Sequence, residues 1–334
     1  MKHISAGLIA LSTFLSPEAL AYNSGSISFS IDNDGIVGTD KNYTNGIFLE
    51  YNSVSAPLLS SISPSPIYKV AKFLPMDKET QKGWSFRLGH QTWTPEDIES
   101  VEPVEDERPY AGLLYVETTA YQYSSSQTDH YAVMLGTVGP NSFAEQGQRF
   151  IHDIIGSEEP MGWDNQIENQ IVFNVGYQGH RLISRSNTIS SEFSLEQYDF
   201  GTAGRINIGN YQSELALGSV ARWGNNLKQN FGTTGFGPGK FVDISVLSSS
   251  PSGYFLFSGI EGRYRFNDIT IEGDLPSEVP DTNIQHWQAT GVLGGVYYQP
   301  KWGVSLSIAI NTPDYKEDKH SSNSIGSLEV FWRL

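Results

Sequence analysis

The sequence predicts an all-β protein: an antiparallel transmembrane β-barrel of about twelve strands, with one helix in a loop at one rim. Three observations carry this. Apolar and polar residues alternate along most of the chain, as in strands with two different faces. Several alternating runs exceed nine residues, long for a soluble strand and suited to a tilted spanning one. The composition pairs 12% aromatic residues and 33 Gly with only 17% charged residues. Lipid-facing strands, aromatic girdles and tight turns need that mixture. A soluble β-sandwich is the competing class.

The first 21 residues read as a secretory signal. Lys2 and His3 form a basic start, residues 4–15 an apolar core, and Ala19-Leu20-Ala21 a cleavage site. The expected barrel domain is therefore 22–334, beginning at Tyr22. Beyond the signal no run of roughly 18 apolar residues offers a membrane-spanning helix. There is no Cys, so stability must come from packing and hydrogen bonding. The net charge of −16 argues against nucleic acid as a partner. It suits either a solvated acidic surface or one that binds a divalent cation.

Alternation marks strands over 26–31, 43–52, 83–93, 110–123 and 130–138. After an interruption it resumes at 171–182, 189–198, 205–223, 253–266, 286–298, 303–311 and 324–334. The middle of 205–223, at Asn210-Tyr211-Gln212, reads equally well as a turn. The last run is apolar at 328, 330, 332 and 334, so the chain ends in a strand that can pair with the first and close a barrel. Connections after odd-numbered strands (33–42, 94–109, 139–168, 199–204, 267–283, 312–323) share one rim and are mostly long. Turns 124–129, 184–188 and 299–302 share the other and are short, as expected of extracellular loops and periplasmic turns. Segments 54–82 and 224–252 break that pattern; the first has a Ser/Pro-rich part and a possible short helix over 67–74.

The interruption at 141–156 has helical spacing. Phe143, Phe150 and Ile154 share an apolar face, while Gln148 and His152, four apart, project together with Glu145 a turn earlier. Asn141 is the expected cap and Gly156 the expected left-handed stop. A His-bearing amphipathic helix among strands is the first candidate for chemistry, with His152 as general base and Gln148 orienting a substrate or water. Parity places two further polar clusters on the same rim. Asp32-Asn33-Asp34 with Asn42-Tyr43-Thr44-Asn45-Gly46 is either an Asx-rich turn loop or a set of oxygen ligands for a hard cation such as calcium. Gln91 to Asp97 leads into Asp106-Glu107-Arg108-Pro109-Tyr110, where Arg108 is the one basic group in an acidic loop. Arg108 is a structural ion-pair partner or a contact to an anionic head group. No G-x-S-x-G and no H-E-x-x-H occurs, so a His-activated water beside a metal is the simplest hydrolytic scheme.

In order and spacing, these segments resemble the LpxR family of outer-membrane lipid A 3′-O-deacylases. The matching pieces are Asn33-Asp34, residues 39–46, Thr94-Pro95-Glu96-Asp97-Ile98, Arg108-Pro109-Tyr110-Ala111-Gly112, Val138-Gly139-Pro140, Glu145-Gln146-Gly147-Gln148, residues 152–156, and Gly162-Trp163-Asp164-Asn165-Gln166. The resemblance implies a twelve-stranded barrel with a calcium-dependent site at its outer rim, removing the 3′-linked acyloxyacyl chain of lipid A. It implies His152 as catalytic base, with Gln148, Asn33 and Thr44 in the catalytic set. Asp34 and Glu158 are the implied metal ligands, and Arg108 and Tyr43 the candidates for substrate binding. The partners expected are lipopolysaccharide and outer-membrane lipids, around a monomer in the outer membrane of a Gram-negative cell. One departure stands out. Some members carry a functional Lys after the Thr-Pro motif, whereas residues 96–107 here hold no Lys or Arg and Ser100 stands near that position. The alternatives are a phospholipase-type esterase and a non-catalytic lipopolysaccharide-binding barrel.

Overall fold

A computed structural model describes residues 23–34, 42–156, 158–186, 189–190 and 195–334. The expected signal peptide and residues 39–41 of the first loop lie outside the described residues. Twelve long strands form the wall: β1 Ser26–Asn33, β2 Asn42–Asn52, β3 Gln81–Thr94, β4 Ala111–Tyr123, β5 Gln127–Val138 and β6 Gln170–Arg185. They continue as β7 Leu195–Gly209, β8 Gln212–Gly224, β9 Gly253–Asp268, β10 Trp287–Tyr298, β11 Trp302–Asn311 and β12 Asn323–Arg333. A two-residue strand, Ile189–Ser190, extends the β6–β7 hairpin. Each long strand pairs antiparallel with its sequence neighbour, and β12 pairs with β1 from Ser26 opposite Arg333 to Asn33 opposite Gly326. Closure therefore comes from the last alternating segment, and it removes both sheet edges.

Alternation sorts the side chains. Ile27 and Phe29 of β1, Phe86 and Leu88 of β3 and Leu306 and Ile308 of β11 are exposed on the outer face. Ser28, Glu50, Arg87, Glu261, Arg263 and Glu329 are buried inside. The rim that carries both ends of the barrel is called the terminal rim here, and the opposite one the helix rim. Toward the terminal rim, outward aromatic pairs encircle the wall: Tyr51–Trp84, Tyr131–Tyr177, Trp223–Tyr254 and Tyr297–Trp302, with ring centroids 5.3–6.2 Å apart. That is the girdle a barrel sets at a membrane interface.

One hairpin differs from the sequence expectation. Residues 199–204 lie inside β7, and the turn falls at 210–211. Gly201 makes room for its neighbours, since a Cβ there would lie 2.9 Å from the Arg181 carbonyl oxygen and 3.3 Å from the Phe231 ring of the lumen filling.

That filling is 225–252, the long connection after β8. Its aromatic and aliphatic residues, Phe231, Phe236, Phe241, Ile244, Val246 and Leu247 among them, are buried within the barrel. Wall charges hold it. The Gly239 N–H donates to Asp32 at 2.5 Å, and its carbonyl accepts from Arg87, which also pairs with Glu50. Lys240 reaches Glu117 at 2.5 Å, and Asp243 meets His130 at 3.0 Å. Arg222 bonds Asp199 through two nitrogens, at 2.9 and 2.6 Å, and the Leu227 and Asn230 carbonyls at 3.1 and 2.6 Å. Inward charges removed from water are costly unless paired, and the connection supplies many of the partners. A cavity of about 200 Å³ remains beside it, lined in part by Glu117, Arg205, Arg263 and Asp314. Replacing residues 230–246 with a short Gly/Ser linker is expected to open steady ion conductance in planar bilayers where the intact barrel is closed. Silent traces from the variant would show that the lumen is sealed elsewhere.

Candidate functional site

At the helix rim of β2–β4 the outer face stops being apolar. His90, Thr92 and Thr94 follow Leu88 on the outward side of β3, and Thr92 and Thr94 are nevertheless buried. On β2 the register slips between Tyr43 and Asn45, leaving Thr44 as a bulge residue. Its hydroxyl shares a 2.8 Å hydrogen bond with that of Thr94, and its carbonyl accepts from Asn33 Nδ2 at 2.8 Å. Polar outward residues on a membrane wall need a polar cover.

The cover is a helix, Ala144–Ile155, and the residues leading into it. The entry differs from expectation. A 3₁₀ turn, Pro140–Ser142, comes first, and Phe143 caps the helix in the left-handed region at φ 60° with no side-chain bond. Asn141 instead accepts no cap role: its N–H donates to Asn169 at 2.7 Å. Gly156 ends the helix at φ 73°, its N–H bonded to the His152 carbonyl at 2.8 Å, as its spacing suggested. The start docks on β4 at Gly112, where a Cβ would stand 2.1 Å from Ser142 Oγ and 2.3 Å from Ala144 Cβ. His90 Nε2 meets the Ser142 carbonyl at 3.1 Å.

Helix spacing then decides what faces the wall. Ala144, Gln148 and His152, four apart, are the buried stripe, and Phe143 and Phe150 are 61% and 66% exposed. The helix is thus turned polar side in, the inverse of a helix on a water-soluble core. The side chain of Ile154 lies outside the described residues. Arg149 bonds Glu145 at 3.1 Å and pairs with Glu159, tying the outer surface to the chain beyond.

Two contacts set the chemistry of the stripe. His152 Nδ1 lies 2.5 Å from the Glu158 carbonyl. A carbonyl only accepts, so Nδ1 carries a proton, and in the neutral ring the lone pair is then on Nε2. Trp163, 1% exposed, donates its indole N–H to Gln148 Oε1 at 2.8 Å and packs against Tyr110, ring centroids 4.8 Å apart and planes tilted by 52°. That bond orients the amide so that Nε2 is the free end, and this buried nitrogen has no partner among the described residues. Tyr110 in turn donates to the Ile98 carbonyl at 3.1 Å, and burial pushes its hydroxyl well above the usual phenol value. Trp163 and Tyr110 belong to matched segments, yet their positioning part was not visible in sequence; only the arrangement of Trp, Tyr and Gln in space discloses it.

The expected site residues fall into three places. His152 and Gln148 share the buried helix face, His152 against the Glu158 carbonyl and Gln148 against Trp163. Asn33 and Thr44 are in contact on the outer wall of the same rim, with Asp34, 1% exposed, next to Asn33. The Glu158 carboxylate is exposed to solvent while its carbonyl serves His152. Tyr43 and Arg108 lie elsewhere. Tyr43 points inward, edge-on to Trp93 at 5.6 Å, and accepts a bond from Gln91 at 3.2 Å. Arg108, 1% exposed, donates to Thr270 Oγ1 at 3.1 Å, lies 3.6 Å from Asp314 and sits 5.4 Å from the Trp93 ring centre. Burial lowers its proton affinity, and the Asp314 charge offsets that only in part. This is the structural ion-pair placement. Ser100 donates its hydroxyl to the Glu102 carbonyl at 2.8 Å. No cluster of three His, Asp or Glu side chains with metal-binding spacing occurs among the described residues. A hard cation here would draw on the Asn33 amide oxygen, the Asp34 carboxylate and backbone carbonyls, a donor set whose chemistry suits calcium.

The closed barrel, with a polar stripe buried under a helix on its outward flank, defines an outer-membrane β-barrel protein with a candidate polar site there. Over residues 7–334 the chain matches the family model described as outer membrane protein LpxR, and it belongs to that family. Among solved structures it is similar to LpxR from Salmonella typhimurium, at 18% identity and a TM-score of 0.75, covering 92% of this chain and 100% of that one. More distant likenesses include the KdgM porin (7% identity, TM-score 0.38, 92% and 99% covered) and the β domain of the Bordetella autotransporter BrkA (8%, 0.40, 94% and 99%). No curated protein matches. The docking of the helix on Gly112 gives a direct test. Gly112→Val should cost about 1–3 kcal/mol of helix docking by overpacking. Trypsin should then cut at Arg149 some tenfold faster or more, while the barrel keeps its heat-modifiable gel mobility; an unchanged rate would show that the helix is held by other contacts.

Proposed function

We propose that this protein hydrolyses the 3′-linked acyloxyacyl ester of lipid A, with the helix rim facing the cell exterior and a calcium ion at Asn33–Asp34. The observation that supports it most is the polar stripe Gln148–His152, buried against Trp163 and the Glu158 carbonyl at the outer rim of a membrane wall, an arrangement with no use in packing against lipid. Family membership agrees with it.

His152 is the base. Its Nδ1–H is held by the Glu158 carbonyl, so Nε2 takes the proton from water as the water oxygen attacks the ester carbonyl. The imidazolium that forms keeps its bond to that carbonyl and returns the proton to the departing sugar oxygen. Gln148, its oxygen fixed by Trp163, offers Nε2 as a donor to the water or to the ester oxygen. Asn33 and Asp34 would hold calcium, and Thr44 fixes Asn33 through its carbonyl. Bound there, calcium supplies Lewis-acid stabilisation of charge developing on the ester oxygen, a type of interaction typically worth ~3 kcal/mol.

His152→Ala should leave a folded barrel with acyl release slowed by roughly a hundredfold or more. Mass spectra of lipid A from cells expressing wild type or variant read this out, and identical spectra would defeat the scheme. Trp163→Phe removes one hydrogen bond to Gln148, worth about 1 kcal/mol, so a fall of several-fold in rate is expected. Chelation should abolish turnover and calcium restore it; turnover that persists in excess chelator would remove the metal from the reading. Release of phospholipid acyl chains in place of the lipid A chain would point to the phospholipase-type alternative.

A further inference from the structure

The connection from β2 to β3 leaves the terminal rim and folds back on the outside of the wall. It contains a short 3₁₀ turn, Leu59–Ser61, and a helix, Ser65–Ala71. Its inner side is built. Leu59 and Ala71 pack on Ala120 of β4, with Ile62, Leu74, Met76 and Trp84 around them. Trp84 donates its indole N–H to the Ile62 carbonyl at 2.9 Å, and Tyr131 donates to the Pro75 carbonyl at 3.0 Å. Gln122 accepts from the Asp77 N–H at 2.6 Å and donates to the Pro75 carbonyl at 3.3 Å. The segment is strapped to the girdle aromatics Trp84 and Tyr131, at the level where this wall meets a membrane interface.

Its outer side has the opposite character. Leu58, Val70 and Phe73 are 67%, 62% and 79% exposed, and Tyr68 is exposed as well. Between them stand exposed Lys69 and Lys72, the latter with its ammonium 4.8 Å from the Phe73 ring centre. Residues 58–74 hold two Lys and no carboxylate in a chain whose net charge is −16. Exposed apolar side chains beside water cost free energy, and a cationic stretch in so acidic a chain needs an anionic counterpart. A membrane interface meets both needs, because acyl chains take the apolar tips and lipid phosphates take the ammonium groups.

We propose that residues 58–74 are a docking surface for the anionic phospholipid leaflet at the terminal rim. Leu58, Val70 and Phe73 enter the acyl boundary, and Lys69 and Lys72 lie at the phosphates. In the orientation proposed above this is the periplasmic leaflet. The strap lies on β3 and β4, the strands whose opposite ends carry the His152 helix, so both leaflets grip the same flank of the barrel.

The chain has no Cys, so single labels are clean. Phe73→Cys, carrying a nitroxide, would be reconstituted in vesicles of phosphatidylethanolamine and phosphatidylglycerol. Its collisions with oxygen and with a water-soluble nickel chelate would be compared with those of labels at Leu306→Cys on the apolar belt and Glu278→Cys in a loop of the helix rim. The expected result is high oxygen and low nickel accessibility, near the Leu306 label. In a Lys69→Glu/Lys72→Glu background the label at 73 should shift several-fold toward nickel. Nickel accessibility at 73 equal to that at 278 overturns the proposal, and so does a depth indifferent to the charge reversal. Heat-modifiable mobility checks that each variant is a folded barrel. Depth is read without turnover, so a failed deacylase assay leaves this test intact.

Discussion

A strand in a closed barrel has no freedom over where its side chains go: every second one faces the bilayer. Most of this chain obeys by placing apolar residues there. At the helix rim of β2–β4 it does not, and Thr44, His90, Thr92 and Thr94 face outward. The helix over 144–155 follows from that breach, since only a polar surface can cover polar groups in a membrane. The close approach at Gly112, the 3₁₀ entry and the strained Phe143 are the means by which the chain lays the helix flat on the wall.

The inward side obeys the same logic with opposite sign. Arg87 and Arg222 pair with Glu50 and Asp199 across neighbouring strands, and the connection after β8 turns inward to meet their remaining donors and the Glu117 carboxylate. Its backbone carbonyls do as much of this as its side chains. A segment rich in Gly and Asn, exposing much backbone, is therefore suited to lie in a charged lumen.

Strand number, closure and the position of the helix were legible because each rests on local periodicity. The turn after β7 was legible only as one of two choices, a connection at 199–204 or a turn at 210–212, and the pairing of β7 with β8 settles it at 210–211. The lumen segment left no periodic trace, since its partners are distant in sequence. Arg108 left two readings open in sequence, a structural ion pair or a head-group contact, because an acidic loop surrounds it; in space it lies against Trp93 beside Asp314, the ion-pair placement. The helix pattern itself was plain, but a pattern does not say whether the medium beyond is water or hydrocarbon. That is why the burial of Gln148 and His152, and not of Phe150, needed the folded chain.

The exposure of Phe143 and Phe150 also has an energetic meaning. On the β3 flank only Phe86 and Leu88 are exposed apolar residues of the strand above Trp84, whereas β9 runs outward from Tyr254 through Leu256 and Ile260 to Phe266. The helix completes the greasy surface that the strand gives up. In the proposed reaction a lipid alongside this flank would keep its tails in hydrocarbon while its ester reaches the His152 stripe. Extracting a tail into water would cost about 0.8 kcal/mol for each methylene, and a site entered sideways from the bilayer avoids that barrier.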